Sequence, residues 1–293
     1  MIVKTINLPR IKPNIEFKLV EPQSALIMPV GDIHYGADGF PERKLVDHFQ
    51  WGMDRGALFI GMGEYLDFAS YSQRAIMQST RDSNRQLLDQ MVEHATLQFF
   101  RLIKFTKGRW LGMIEGDHRW TFLNGQSSDQ LLCRELGCDF LGTSAMLRLH
   151  SSKVPRRHPE ADCTLYVHHG IGTARRAGAA LARVEDLLIW LDADIYLMGH
   201  AHQKISAPID RQYITPDGKH YHQTKLLART GAWLRGYKSH EPLSLDRGAS
   251  ESRGSYVEQK ALAPASLGGL CIGIGYEQIH DSKYYRPLIH YSV

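Results

Sequence analysis

The chain has 293 residues, enough for one large domain or two small ones around a substantial core. Its 43% hydrophobic and 23% charged content is that of an ordinary soluble globular protein, and a formal charge of +4 is too mild to advertise nucleic-acid binding unaided. That charge is compatible with an anionic substrate, and fifteen histidines, several in short clusters, direct attention to metal chemistry.

Lys4 to Pro22 mixes prolines with charges and reads as an arm or an edge hairpin. Met1 to Phe17 lacks the uninterrupted apolar core of a signal peptide, and no stretch is long enough to span a bilayer, since the nearest, Leu187 to Met198, is broken by Asp192 and Asp194. The expectation is a cytoplasmic protein with no membrane partner. The apolar run Ala25 to Val30 predicts the first core strand, leading into Gly31-Asp32-Ile33-His34-Tyr35-Gly36. In an extended chain Asp32 and His34, two apart, point the same way, and a carboxylate beside an imidazole is a good half-site for a transition metal. The alternative is a turn that happens to hold a histidine.

Pro41 to Arg55 has helical apolar spacing through Leu45, Val46, Phe49 and Met53, and Gly56 stops it. Ala57 to Gly63 predicts a second strand, ending on Glu64-Tyr65-Leu66-Asp67. Ser70 to Lys107 is long and polar, with a helix expected from about Arg85 to Phe105. A third strand, Arg109 to Ile114, runs out into Glu115-Gly116-Asp117-His118-Arg119-Trp120. Ser128 to Leu136 reads as a helix closed by Gly137. Leu141 to His150 and Cys163 to Val167 read as strands separated by a basic turn at 151–160, the second ending on His168-His169-Gly170. A helix from about Arg175 to Leu191 precedes the strand Asp194 to Met198 and then Gly199-His200-Ala201-His202. Further strands are expected at Leu226 to Thr230 and Leu267 to Tyr276, with a mobile loop at Gly236 to Gly254 between them. Cys133, Cys138, Cys163 and Cys271 match neither a disulfide framework nor a paired zinc pattern and are expected as reduced, mostly buried thiols.

This alternation predicts an α/β sandwich with ligands at the C-terminal ends of the strands. Five strand ends carry candidate ligands: Asp32 with His34, Glu64, Asp117 with His118, His168 with His169, and His200 with His202. Polar residues that are costly to bury recur at equivalent edges of successive apolar strands, which argues for a shared metal site. His168 and His169 point to opposite faces if the strand stays extended, so only one of them can belong to it.

In this order the motifs resemble the calcineurin-like metallophosphoesterase family, whose signature runs D-x-H, G-D-x-x-D, G-N-H-[DE], a single His after a strand, and G-H-x-H. Here these are Asp32-Ile33-His34, Gly63-Glu64-Tyr65-Leu66-Asp67, Gly116-Asp117-His118-Arg119, His168-His169, and Gly199-His200-Ala201-His202. The match covers about residues 24–205, and the 226–276 strands fit the closing part of the fold. The resemblance implies a single domain over residues 1–293, a four-layer αββα sandwich of mixed sheets, and an active site at strand C-terminal ends. It implies two divalent metal ions, manganese first, with iron, zinc or nickel as alternatives. One would be held by Asp32, His34 and His202, the other by Asp117, His200 and His169, with Glu64 bridging. His118 would stand near the leaving-group oxygen as proton or hydrogen-bond donor. His169 is preferred to His168 because the family histidine abuts the glycine supplied here by Gly170. The implied activity is hydrolysis of a phosphomonoester or phosphodiester by metal-activated hydroxide, with a phosphorylated small molecule, nucleotide or nucleic acid as substrate. A nuclease calls for a strongly basic groove, which the mild net charge argues against.

Three positions depart from the pattern: Glu64 for the bridging Asp, Asp117 for Asn, and Arg119 for the acid that would orient the imidazole. Arg119 could contact phosphate instead. These departures keep open a catalytically degenerate metal- or nucleotide-binding interaction module. Asp67 is expected as a cap or hydrogen-bond acceptor. Arg74, Arg81, Arg175 and Arg176 follow ligand-bearing strands and are candidates for phosphate contact or plain surface residues. Tyr35 and Trp120 flank ligands and suit either base stacking or packing. Residues 230–235 are candidates for the rim.

Overall fold

A computed structural model describes residues 3–6, 14–19, 25–37, 39–69, 71–151, 162–172, 176–237, 261, 264 and 267–292. The 152–160 part of the expected basic turn, Arg175, and the 238–254 part of the expected loop lie outside the described residues.

Twelve strands and five α-helices make up the described fold: β1 (Val3–Ile6), β2 (Asn14–Leu19), β3 (Ala25–Val30), α1 (Glu42–Asp54), β4 (Leu58–Gly61), α2 (Tyr71–Gln78), α3 (Asp82–Ile103), β5 (Trp110–Met113), α4 (Ser128–Leu136), β6 (Ser144–Ser151), β7 (Cys163–His168), α5 (Ala177–Glu185), β8 (Ile195–Met198), β9 (Lys204–Ile214), β10 (His220–Thr230), β11 (Cys271–Gln278) and β12 (Tyr285–Ser292). They build two mixed sheets, one of seven strands in the order β1-β2-β6-β7-β8-β10-β9 and one of five in the order β12-β11-β3-β4-β5. β3, β4 and β5 run parallel, as do β7, β8 and β10, so the ligand-bearing ends of each set share one edge.

Strand alternation divides the apolar residues into layers. Ala25, Ile27, Leu58 and Ile60 of one sheet meet Leu165, Val167, Ile195, Leu197, Leu226 and Ala228 of the other in the core between the sheets. The opposite parity, Met28, Val30 and Phe59, packs against Leu45 and Phe49 of α1, Val92 and Phe99 of α3, and Leu131 and Leu132 of α4. On the far side Tyr166, Tyr196 and Leu227 pack on Val184 of α5 and on Leu187 in the 3₁₀ turn that follows it. The order is therefore helix, sheet, sheet, helix, the expected αββα sandwich. A one-residue slip in any of these strands would exchange its two faces, which pins the register and the strand ends.

β1 and β2 pair antiparallel at one edge of the seven-stranded sheet, as the edge-hairpin expectation had it. Three elements were not anticipated. β9 and β12 are sheet-edge strands, mostly intermediate or exposed, and each contains a proline, Pro208 and Pro287; edge positions tolerate proline and impose little apolar alternation. α2 is short and, where its side chains are described, exposed or half-buried apart from buried Arg74. α4 begins at a capping box, with Ser127 Oγ accepting from Gln130 N–H and Gln130 Oε1 from Ser127 N–H, and ends on Gly137 at φ 70°. All four cysteines are free, with Cys133 and Cys163 buried. Among the described residues no helix is long and apolar enough to cross a membrane.

Candidate metal centre

The loops after β3, β4, β5, β7 and β8 meet at the shared edge. Backbone bonds stitch them: Asp32 N–H donates to Gly63 O at 2.9 Å and Ile33 N–H to Glu64 O at 2.8 Å. The sheets are joined where His200 N–H donates to Asp32 Oδ2 at 2.9 Å and His169 Nδ1 donates to Met62 O at 2.7 Å. Gly116 leaves no room for a side chain, since a Cβ there would lie 2.1 Å from Glu64 N; at Gly63, φ +91°, a Cβ would lie 2.6 Å from His169 Nδ1.

Asp32 and His34 do converge, but not as alternate residues of a strand. β3 ends at Val30, and Asp32 and His34 have φ of 49° and 53°. Glu64, His200 and His202 are also left-handed, at 55°, 67° and 53°, so five of the seven described non-glycine residues with positive φ belong to this cluster. Such backbone is strained for these residue types and survives where the surroundings over-determine it.

Among the described residues three groups of ligand atoms result, each within 4.8 Å: Asp32, His34 and His202; Glu64, Asp117, His169 and His200; and His34, Asp67 and His118. In the first, Asp32 is fully buried and its Oδ1 has no hydrogen-bond partner, lying 3.6 Å from His202 Nε2. His34 Nε2 faces His202 Nε2 at 3.1 Å while His34 Nδ1 is 3.3 Å from Asp67 Oδ1. With Nδ1 turned to Asp67, His34 presents Nε2 to another imidazole and, within 4.8 Å, to a bare carboxylate oxygen. Burial and the charge of His34 push His202 down to about 3, so it is neutral at neutral pH. Burial pushes Asp32 up to about 6. Two facing imidazole nitrogens and an orphaned carboxylate oxygen fit a divalent cation.

In the second group, His169 gives its Nδ1 proton to the Met62 carbonyl, which aims Nε2 at Glu64 Oε1, 3.2 Å away. His200 Nδ1 lies 3.3 Å from both His169 Nε2 and Asp117 Oδ2. Burial works against charge on both Glu64 and His169, but their mutual hydrogen bond prevails, holding Glu64 at about 2 and lifting His169 to about 9. Glu64 also accepts from the N–H groups of Asp117 and His118 at 3.0 and 2.9 Å. It therefore shapes the loop after β5, and it groups with Asp117, His169 and His200 rather than with Asp32. His169, not His168, enters the cluster: alternation from Val167 turns His168 to the other face, where its Nδ1 accepts from Gly170 N–H at 2.7 Å.

His118 Nδ1 donates to Asp67 Oδ1 at 2.9 Å. Burial opposes its charge, but that bond and the charges of Glu64, Asp67 and Asp117 raise its pKa. The two bonds it accepts, from His118 and from His34, hold Asp67 well below the usual carboxylate range despite burial. Asp67 thus supplies the orienting acid that position 119 lacks. The Arg119 guanidinium is engaged within its own loop, with Nε 3.3 Å from Glu115 Oε2 and Nη1 donating to Gly116 O at 3.0 Å.

Arg74 does not reach out as an exposed phosphate hook. It is buried and donates to the carbonyls of Asp117, at 2.7 Å, and Arg119, which bracket His118. Arg81 and Arg176 are exposed. Trp120 is fully buried, with Nε1 donating to Asp89 at 2.6 Å, and Tyr35 packs on Phe40 and Phe99, so both flanking aromatics are packing residues. Trp233 of the expected rim donates its N–H to Asp32 O at 2.8 Å.

Two supporting residues escaped the sequence reading. Asp129, buried on α4, accepts Gly116 N–H through Oδ2 at 3.0 Å; the capping pattern beginning at Ser127 was a usable signal. Arg229, buried on β10, donates to Ala180 O and to Gly199 O, each at 2.8 Å, and holds the start of the Gly199–His202 turn. No sequence pattern marked it.

No family model and no curated protein matches this chain. Among solved structures it is similar, at a TM-score of 0.31 and 9% identity over 92% of this chain and 100% of the other, to a conserved uncharacterised protein from Streptococcus pneumoniae TIGR4 described as a predicted phosphoesterase.

Proposed function

We propose that this chain is a phosphoesterase that works with divalent metal ions, manganese first, at the edge where the two sheets meet. The observation that carries the reading is the convergence of Asp32, His34 and His202 beside Glu64, Asp117, His169 and His200, with Asp32 Oδ1 buried and unpartnered. Cations held there would supply Lewis-acid polarisation of a phosphoryl oxygen and charge to stabilise its attack by water.

The chain's own residues do the rest. His118, with Nδ1 bound to Asp67, keeps Nε2 as the ring nitrogen from which a proton can pass to a leaving-group oxygen. Glu64 fixes the backbone of residues 117 and 118, and Arg74 grips the carbonyls on either side of His118. The substrate class is a phosphomonoester or phosphodiester, with nucleotides or nucleic acid as the natural form.

A second reading, a metal-binding interaction module without turnover, draws on the engagement of Arg119 and Arg74 with protein groups. Hydrolysis of bis-p-nitrophenyl phosphate and p-nitrophenyl phosphate with manganese, nickel, zinc or iron separates the two. Turnover that chelation abolishes is the expected result. Bound metal without turnover on either ester, with all four metals, would overturn the enzyme reading in favour of the module.

A further inference from the structure

The turn that closes α4 brings two cysteines together. Gly137 N–H donates to Arg134 O at 3.2 Å and Cys138 N–H to Cys133 O at 3.0 Å, with Gly137 left-handed at φ 70°. In a helix closed this way the side chain on the last turn and the one just past the glycine pack together, as a rule through apolar groups. Here both are thiols. Cys133 and Cys138 are hydrogen-bonded through their sulfurs, and both are free.

The two are chemically unequal. Cys133 is buried in the core under α4, and its bond to Cys138, together with burial, raises its pKa, so it keeps its proton. Cys138 is half-buried and is the sulfur that a reagent reaches first. A disulfide needs the sulfurs to close by on the order of 1–2 Å, and the backbone is already joined across the turn.

The pair stands among the anchors of the metal-site loops. Tyr65 is buried within electrostatic reach of Cys133, Cys138 and Asp129; its hydroxyl accepts Gly63 N–H at 3.1 Å and donates to Ile114 O at 2.7 Å. On the first turn of α4, Asp129 accepts Gly116 N–H. Directly after Cys138, Asp139 O accepts Met113 N–H at 3.0 Å and Gly142 O accepts Glu115 N–H at 2.9 Å. The segments on both sides of the thiols therefore hold β5 and the loop that carries Asp117 and His118. In a close-packed core, a shift of this size at the sulfurs is passed to those anchors.

We propose that Cys133 and Cys138 form a reversible disulfide that acts as a redox latch on the loop after β5, with a low-molecular-weight disulfide such as glutathione disulfide as the oxidant. The Cys138 thiolate attacks one sulfur of the oxidant and expels a glutathione thiolate. The Cys133 sulfur then attacks Cys138 Sγ in the mixed disulfide and expels the second. The chain's two thiols give up two electrons and two protons, and the oxidant takes them up as two molecules of glutathione. The loop is the one that the phosphoesterase reading uses, but the latch itself requires no turnover.

The test is incubation of the full chain with glutathione disulfide, followed by intact mass and peptide mapping. The expected product has lost two hydrogen atoms, joins Cys133 to Cys138, and reverts with dithiothreitol. Cys133→Ala should stop at a glutathione adduct on Cys138, and Cys138→Ser should form neither adduct nor link at this turn. Circular dichroism checks that each variant folds, and Cys138→Ser, altering the half-buried position, keeps the test open if Cys133→Ala does not. Hydrogen exchange reads the latch: the Gly116 amide should exchange about tenfold faster in the oxidised chain, the loss of one hydrogen bond, and be unaffected by the oxidant in Cys138→Ser. A Cys138 that stays a thiol, an adduct that never resolves in the unmodified chain, or a link to Cys163 or Cys271 instead would overturn the disulfide. A Cys133–Cys138 link that leaves exchange at residues 115–120 unchanged would overturn the latch. Failure to oxidise leaves the phosphoesterase reading standing, and a chain that forms the link yet hydrolyses no ester refutes that reading alone.

Discussion

Asp67 holds His118 by a 2.9 Å bond from Nδ1 although the two stand 51 residues apart, on loops following β4 and β5. The same carboxylate oxygen is 3.3 Å from His34 Nδ1. One acid therefore sets the ring orientation of both a candidate metal ligand and the candidate proton donor. Asp67→Asn removes a charge that raises the His118 pKa. The variant is expected to lose roughly 10–100-fold in kcat on an alkyl phosphate, and much less on p-nitrophenyl phosphate, whose leaving group needs little protonation. Equal losses on the two esters would show that Asp67 does not act through His118.

Arg74 brackets His118 by binding the carbonyls of Asp117 and Arg119. Arg74→Met should loosen that loop, lowering kcat about tenfold or more while leaving KM little changed, because misplacing a reacting group costs rate before it costs binding. Arg74→Lys, which keeps a donor and charge, should recover part of the loss. Steady-state kinetics with both variants checks this, and a change confined to KM would point to substrate contact instead.

The candidate metal ligands make a sharper pair. Asp32→Asn and His200→Asn remove one ligand from each of the first two groups, so each variant should bind less manganese per chain and lose hydrolysis. Added manganese should raise the Tm of the unmodified chain by mass action, and much less in either variant. Full activity in either variant would mean that the ligand assignment is wrong.

Asp129 gives a pH signature. Burial, chiefly, lifts its carboxyl from 3.8 to about 7, against the favourable bond from Gly116 N–H. A folded pKa above the unfolded one means that the folded chain holds the proton longer, so this group's contribution to stability is complete below about pH 4 and is lost as pH rises toward 7. Asp129→Asn cannot ionise. Thermal unfolding of the metal-free chain between pH 4 and pH 8 should show a shallower decline in the variant, and parallel curves would refute the assignment.

Much of this was legible in the residues. Continuous apolar runs at 25–30, 58–61, 110–113 and 195–198 are buried on both faces, and such strands announce themselves without context. Each is followed within four residues by a carboxylate or histidine, so the candidate ligands could be picked out from polarity at strand ends. The edge strands β9 and β12 could not, because an edge needs neither an apolar pair of faces nor a full set of N–H donors. Nor could Arg229, or the role that Arg74 takes, since their partners are backbone carbonyls: any residue type presents a carbonyl, so nothing in the partner's identity marks the contact.

The sequence by itself determined the sandwich and the roster of candidate ligands, because burial parity and strand-end polarity are local properties of the chain. Tertiary structure alone decided how they meet. The left-handed turns at Asp32, His34, Glu64, His200 and His202 are strained locally and persist only because five loops lock one another. The grouping of Glu64 with Asp117, His169 and His200, and the coupling of Asp67 to His118, depend on side chains from different loops arriving within hydrogen-bond reach.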